Sequence, residues 1–189
     1  NERVNDAITA DNLSVTNATT YTNPYSNCRL TVTSVQDSAL VRIEHNWVAP
    51  YSVGAPANVA VSPDRYWTIR GVGLSGFAAS LRFEYDAQQT AVGDLDNGLL
   101  VSLGGQPFQE DSIVLLYRAD DNAPWEIHSD YNLSFSGSAF DKKGAITANV
   151  FMEGQYTFGY RTPSVGINEK PISSLSYSIY PNPVDDSIN

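Results

Sequence analysis

The sequence predicts an all-β chain that folds as an antiparallel β-sandwich, immunoglobulin-like or jelly-roll-like, with eight or nine short strands. Three observations predict this fold. Apolar and polar residues alternate with a period of two along most of the chain, turn-forming residues separate the alternating segments, and no segment has a convincing helical period. A small barrel is the alternative arrangement of the same strands.

The rest of the chain is expected to be organised around residues 111–118. Apolar residues occupy both faces of this extended segment, with Ile113, Leu115 and Tyr117 on one face and Val114 and Leu116 on the other. This pattern predicts a strand that is covered on both sides. Turn formers at residues 119–123 then lead into a return strand over residues 124–128, which predicts a hairpin.

The first 28 residues are rich in Asn, Thr, Ser and Tyr and show little periodic hydrophobicity. Residues 1–28 are therefore predicted to form an irregular lead-in, with one short edge strand near residues 13–15. The sandwich domain itself is predicted to span residues 29–162.

Two strands are predicted at the start of the sandwich, over residues 29–35 and 39–48. In the second strand, His45 falls on the same face as Ile43 and Trp47. A histidine on an apolar face is predicted to be buried and hydrogen-bonded, with a metal ligand or a catalytic base as the alternative.

Gly71, Gly73 and Gly76 match the Gly-x-Gly-x-x-Gly spacing of a dinucleotide-binding loop, directly after a strand predicted over residues 64–71. Such a loop requires a helix to begin there. Residues 81–85 instead alternate in the manner of a half-buried strand. A glycine-rich hairpin turn between two strands is therefore the favoured interpretation.

The remaining segments continue the same pattern. Residues 49–63 have the proline and glycine content of a loop, and the Asn97–Gly98 pair is a tight-turn signal. Further strands are predicted within residues 131–140, 145–152 and 155–161.

The charge balance restricts the classes of partner. The chain has 11 basic and 21 acidic side chains, a formal net charge of -10. Nucleic-acid binding needs a basic surface, so no nucleic-acid partner is predicted, and anionic membrane surfaces are disfavoured for the same reason. No apolar run approaches the ~20 residues of a membrane span, so none is predicted. Cys28 is the single cysteine, which precludes an internal disulfide, and it is predicted to be a small buried hydrophobic residue.

Two acidic loops are candidates for a hard cation. Asp94, Asp96 and Asn97 place oxygen atoms before a tight turn, as part of a calcium loop does. The closing glutamate and the flanking helices of an EF-hand are missing. Residues 120–122, Asp-Asp-Asn, form the second candidate. A plain solvated turn is the favoured interpretation of both loops, so no cofactor is predicted, and calcium is the alternative.

Motifs for enzymatic catalysis are not found in this sequence. Neither histidine begins a His-Glu-x-x-His zinc motif, and no Gly-x-Ser-x-Gly nucleophile turn is present. The fragment is therefore predicted not to be an enzyme. Two carboxylates that converge in a cleft, as in glycosidases, are the remaining catalytic alternative.

The three tryptophans could in principle stack on sugar rings. The alternation places Trp47 and Trp67 on the core-facing side of their strands. Trp125 is the one predicted as a sugar platform, and it supports an alternative function for the chain as a carbohydrate-binding module that uses exposed aromatic side chains.

Residues 175–188 read Leu-Ser-Tyr-Ser-Ile-Tyr-Pro-Asn-Pro-Val-Asp-Asp-Ser-Ile. The Tyr-Pro-Asn-Pro signature, followed by an aliphatic residue and two acids, resembles the beginning of the C-terminal sorting domain of the type IX secretion system of Bacteroidetes. The resemblance implies a truncated sorting domain over residues 175–189, with residues 163–174 as the linker before it. It also implies a protein exported across the outer membrane, secreted or held at the cell surface, whose tail contacts the secretion machinery.

The body of the chain, residues 37–161, resembles the domain that precedes this sorting signal in secreted aminopeptidase N-type metallopeptidases of the same bacteria. The segments that carry the resemblance are residues 38–50, 62–67, 111–118 and 154–157. It implies a non-catalytic accessory domain whose partner is the catalytic domain upstream in the same parent chain. None of the zinc ligands of that catalytic domain, nor its glutamate, has a matching position here. Because the chain begins with Asn1, it is expected to be a piece of a longer protein.

Overall fold

The computed structural model describes residues 2–10, 19–23, 26–36, 38–88, 95–99 and 109–162, the first of these segments through its backbone. These residues form twelve strands and one turn of 3-10 helix, Glu110–Ser112. The strands are β1 Glu2–Ala10, β2 Thr19–Asn23, β3 Cys28–Ser34, β4 Ala39–Trp47, β5 Val59–Val61, β6 Tyr66–Val72, β7 Ala78–Asp86, β8 Ile113–Arg118, β9 Glu126–Ile127, β10 Tyr131–Phe135, β11 Lys143–Ala148 and β12 Gly154–Arg161.

The strands form two antiparallel sheets. One has seven strands, in the order β1-β4-β6-β12-β8-β9, with β5 pairing with β12 beyond the end of β6. The other has five strands, in the order β10-β11-β7-β3-β2. The predicted all-β antiparallel sandwich is confirmed, with more strands than the eight or nine expected. No helix in the described part of the chain is long and apolar enough to cross a membrane.

The additional strands lie where the sequence shows no apolar alternation. β1 and β2 fall inside the predicted irregular lead-in, and β5 falls inside the predicted loop. β1 is an edge strand that pairs with β4 from Glu2 opposite Trp47 to Ala10 opposite Ala39. An edge strand of this kind is held by its backbone ladder, so its side chains need not carry a hydrophobic pattern. The edge strand predicted near residues 13–15 lies outside the described residues, as do residues 163–189.

The core lies between the two sheets and is built from the faces that the alternation predicts. Its fully buried side chains include Leu30, Val32, Val41, Ile43, Trp67, Ile69, Leu81, Phe83, Leu115 and Phe158. The Trp67 ring is the centre of an aromatic group, with ring centroids 4.8 Å from Phe83 and 5.2 Å from Phe158. Burial of each such side chain contributes roughly 1.5–3 kcal/mol to the hydrophobic term, which offsets the entropy of ordering the chain.

Strand β8, around which the chain was predicted to be organised, is covered on both faces. Ile113 and Leu115 belong to the central core, whereas Val114 and Leu116 pack with Trp125 in a second apolar cluster on the other side of the sheet. Half-buried side chains from β5 complete that cluster. The predicted hairpin is also confirmed, because β8 pairs with β9.

Three connections cross between the sheets at one end of the sandwich: those that follow β3, β6 and β11. We call this region the three-loop end. The predicted glycine-rich turn lies here, but it is not a hairpin, because β6 and β7 belong to different sheets. Gly73 has a φ of 73°, and a Cβ atom there would lie 2.6 Å from the carbonyl oxygen of Ser38. The turn continues into strand β7, without the helix of a dinucleotide-binding loop.

Candidate functional site

A buried ion pair joins the start of β6 to the segment beyond β7. The Arg65 Nε atom donates to Asp96 Oδ1 at 2.8 Å, and its Nη2 atom donates to Asp96 Oδ2 at the same distance. Neither side chain is exposed to solvent. Two parallel hydrogen bonds between a planar guanidinium and a carboxylate fix both groups in one geometry.

The remaining donors of Arg65 are also satisfied inside the core. Nη2 donates to the Glu84 carbonyl oxygen at 2.6 Å, and Nη1 lies 3.3 Å from His45 Nε2. Because a guanidinium only donates, His45 Nε2 is the acceptor in this contact. The Trp67 ring stacks beneath the guanidinium at 4.7 Å. The prediction that His45 is buried and hydrogen-bonded is confirmed.

This geometry gives Asp96 a different role from the calcium ligand that the sequence suggested. Both of its carboxylate oxygens face inward to Arg65, and Oδ2 accepts a further hydrogen bond from the Asp86 backbone N–H at 2.9 Å. Asn97 lies in the tight turn that follows, and Asp94 lies outside the described residues. Within the described segments, no group of three or more His, Cys, Asp or Glu side chains could hold a metal ion.

Asp64, next to the buried arginine, holds that tight turn in place. Its Oδ2 atom accepts hydrogen bonds from the backbone N–H groups of Gly98 at 2.9 Å and Leu99 at 3.1 Å. Burial raises the pKa of the Asp64 carboxyl above its ordinary value, against these two hydrogen bonds. The turn predicted from the Asn97–Gly98 pair is confirmed.

The second acidic loop, between β8 and β9, uses its oxygens for local structure. Asp120 Oδ1 accepts from the backbone N–H groups of Asn122 and Ala123, which is an Asx-type turn. Asp121 Oδ1 accepts from Arg118 Nη2 at 3.3 Å and from Gln155 Nε2 at 2.8 Å. These contacts match the solvated-turn interpretation of the loop.

Trp125 is not the exposed sugar platform that the sequence suggested. Only 1% of its surface is exposed, and it packs in the apolar cluster outside β8. Its indole N–H donates to the Tyr51 carbonyl oxygen at 2.7 Å, and the Arg118 guanidinium lies 4.4 Å over its ring. The segment that precedes β5 covers the outside of the sheet here, so Trp125 supports that segment from below.

The aromatic side chain that is exposed at this place is Tyr51. Its ring is 67% exposed and borders a cleft of about 310 Å³ between the segment before β5 and the β8–β9 loop. The cleft is lined by Tyr51, Val53, Gly54, Asp121, Asn122, Ala123 and Pro124. Nothing in the alternation of the sequence singled out Tyr51, because it lies in a loop without periodicity.

Two buried titratable groups lie elsewhere in the sandwich. Glu110 Oε1 accepts from the Tyr85 hydroxyl at 2.8 Å, and burial raises the pKa of Glu110. His128 Nδ1 accepts from the Asp130 backbone N–H at 3.2 Å, and burial lowers the pKa of His128. Among the described residues, Glu110 Oε2 and His128 Nε2 are the buried side-chain atoms without a hydrogen-bond partner. Glu110 drew no prediction from the sequence because it belongs to no motif, and His128 was considered there only as a histidine without a zinc motif.

Carboxylates do converge on the outer face of the five-stranded sheet, where Glu84 and Asp86 border a cavity of about 310 Å³. Each has a basic partner. Arg29 lies 2.6 Å from Glu84, and Lys143 lies 2.9 Å from Asp86. The hydrogen bond that the Lys143 ammonium donates to Asp86 raises the pKa of Lys143. This arrangement is that of a partly exposed ion-pair surface.

The three-loop end carries the exposed apolar side chains Val72, 70% exposed, and Val150, 51% exposed, together with Leu40 beside Val72 on the neighbouring strand. The half-buried rings of Phe77 and Phe151 contact each other at 4.9 Å between the loops. A cavity of about 200 Å³ opens beside these two rings. The three-loop end therefore exposes several apolar side chains to solvent.

Comparison of this chain with known protein families, with curated proteins and with solved structures gives no match in any of the three.

Proposed function

We propose that this chain is a non-catalytic accessory β-sandwich domain of an exported bacterial metallopeptidase, and that it packs on and presents the catalytic domain upstream of it. The observation that carries the proposal is the exposure of Val72, Val150 and Leu40 at the three-loop end. In a domain of this size, apolar side chains gathered at one end are a surface that a neighbouring domain can bury.

Hydrogen bonds join the connections of the three-loop end to one another and to β6. The Gln36 backbone N–H donates to the Ser75 carbonyl oxygen at 3.4 Å, and the Ser75 hydroxyl donates back to Gln36 Oε1 at 2.9 Å. The Gly71 backbone N–H donates to Glu153 Oε1 at 2.6 Å, which ties the third connection to the end of β6. A surface that is already ordered loses less entropy when it binds.

Five of the polar side chains that could carry chemistry have structural partners. Arg65, Asp96 and His45 bond to one another inside the core, and Glu84 and Asp86 are each paired with a basic side chain. The sequence resemblance to the domain that precedes the sorting signal in secreted metallopeptidases supports the same role, and the Tyr-Pro-Asn-Pro tail supports export. The zinc site belongs to the catalytic partner in this proposal.

The test uses this chain and, as its probe, the polypeptide encoded upstream of Asn1. Binding between the two is measured by calorimetry for the unchanged chain and for the double variant Val72→Asp, Val150→Asp. We expect the double variant to bind at least about tenfold more weakly, since it places two charges in an apolar contact. Thermal unfolding of each variant shows that the fold is retained.

Val48→Asp is the matched control, because Val48 is an exposed valine outside the three-loop end. We expect it to bind as the unchanged chain does. Equal losses in Val48→Asp and in the double variant would contradict the proposed surface. Metal-dependent hydrolysis of peptides by the purified chain alone would contradict the non-catalytic role.

A further inference from the structure

We infer that the cleft bordered by Tyr51, Asp121 and Asn122 is a binding site for a neutral saccharide. This inference is independent of the proposed docking of the three-loop end, because the two surfaces share no residue. It rests on a fixed aromatic platform, on two oriented polar groups and on the charge around them.

The Tyr51 ring is presented to solvent by a backbone that is fixed from below. The Tyr51 carbonyl oxygen accepts hydrogen bonds from Trp125 Nε1 at 2.7 Å and from Arg118 Nη1 at 3.4 Å. Both donors belong to buried side chains on the β8–β9 hairpin. An exposed aromatic ring on an anchored backbone can stack on the C–H face of a sugar at a small entropy cost.

A glycine allows the two sides of the cleft to approach each other closely. Gly54 has a φ of 78°, and a Cβ atom there would lie 2.9 Å from the Cα atom of Pro124. The segment before β5 is thereby held against the β8–β9 loop. The enclosed volume, about 310 Å³, is at the lower end of the range for small-molecule sites and suits one or two sugar units.

Two polar groups face the same cleft. The side chain of Asp121 is 79% exposed, yet Gln155 Nε2 and Arg118 Nη2 both donate to its Oδ1 atom and so orient the carboxylate. Within the described part of the chain, no hydrogen bond uses Asp121 Oδ2, the Asn122 side-chain amide or the Tyr51 hydroxyl. A carboxylate that accepts beside an amide that donates matches the adjacent hydroxyl groups of a saccharide.

The charge of the site selects among saccharides. The cleft loop carries Asp120 and Asp121, and the whole chain has a formal net charge of -10. Two described basic side chains contact this loop from outside the cleft lining: the buried Arg118, and the exposed Arg70, which donates to the Ala119 carbonyl oxygen at 3.4 Å. Uronic acids and sulfated sugars would meet this field unfavourably, since none of the described residues that line the cleft is basic. A saccharide without charge, offering hydroxyl donors to the carboxylate, fits the site.

The test uses affinity electrophoresis in gels that contain one neutral polysaccharide each, namely a β-glucan, a xylan or a mannan, with polygalacturonate as the anionic comparison. We expect at least one neutral polysaccharide to retard the chain and polygalacturonate to leave it unaffected. Tyr51→Ala should weaken that retardation about tenfold in apparent affinity, whereas Tyr51→Phe should retain most of it, because stacking needs the ring. Asn122→Ala should weaken binding without changing the unfolding temperature.

Phe140→Ala is the matched control, because Phe140 is an aromatic side chain with 66% of its surface exposed and lies outside the cleft. It should bind as the unchanged chain does. The inference is overturned if no neutral polysaccharide retards the chain, if polygalacturonate is the only one that does, or if Tyr51→Ala and Phe140→Ala bind equally. Retardation that is weakened by Tyr51→Ala and by Asn122→Ala but not by Phe140→Ala supports it, provided that circular dichroism shows the same fold in each variant.

Discussion

The guanidinium of Arg65 lies 2.8 Å from each carboxylate oxygen of Asp96, at a sequence separation of 31 residues and without solvent contact. This pair closes the end of the core that the Trp67 and Phe158 rings line. Because both charges have left water, each depends on the other to remain buried.

Removing one partner of this pair should destabilise the domain strongly. Asp96→Asn leaves the guanidinium buried with its charge uncompensated, and we expect a loss of about 3–5 kcal/mol in the free energy of unfolding, measured by urea denaturation. Arg29→Met is the control, because it breaks the exposed pair with Glu84, and its cost should stay below about 1 kcal/mol. Similar losses in the two variants would show that burial does not set the strength of the inner pair.

Glu110 should make the domain less stable as the pH rises. Its folded pKa is raised by burial, so the stability it contributes is fully present below its ordinary pKa of 4.5 and is lost as the pH rises through the folded value. We expect Glu110→Gln, which mimics the protonated acid, to gain stability relative to the unchanged chain between about pH 4 and pH 8. Denaturation at a series of pH values measures the difference.

Glu126→Gln is the control for Glu110→Gln, since it removes one negative charge from an exposed position of β9. A difference from the unchanged chain that grows with pH equally in both variants would assign the effect to net charge rather than to the buried site.

His128 should make the domain less stable as the pH falls, which is the opposite of the effect of Glu110. Burial lowers its pKa below the ordinary value of 6.5, so the stability it contributes is present above pH 6.5 and is lost as the pH falls through the folded value. His128→Phe removes this titration and keeps a ring between Tyr117 and Tyr156, whose centroids lie 6.1 Å and 6.0 Å away. We expect the variant to gain stability relative to the unchanged chain as the pH falls below 6.5. A pH-independent difference in unfolding free energy would contradict this.

Trp125 should contribute mainly to the stability of the domain. Trp125→Ala removes the centre of the cluster that contains Val114 and Leu116, and we expect a loss of about 3–5 kcal/mol in urea denaturation. Trp125→Phe should cost less, because it keeps most of the apolar contact and loses the hydrogen bond to the Tyr51 carbonyl oxygen. Retention of full stability in Trp125→Ala would be inconsistent with its burial.

The burial of Arg65 could have been predicted from the sequence. The alternation that turns Trp67 and Ile69 inward also turns Arg65 inward, so its burial was implied by the strand pattern. Its partner could not be found in this way, because Asp96 lies in a segment with no periodicity. The cleft at Tyr51 could not be predicted either, because Tyr51 lies in a loop without periodicity.

The sequence by itself determined the fold class, the inward faces of most strands and the two-sided burial of β8. These properties follow from the two-residue period of a strand, which is local and can be seen directly in the sequence. Only the tertiary structure decided that Asp96 faces Arg65, that Trp125 is covered while Tyr51 is exposed, and that β6 and β7 join different sheets. Each of these depends on contacts between segments far apart in the chain, and no local period records which distant segment will cover a given face.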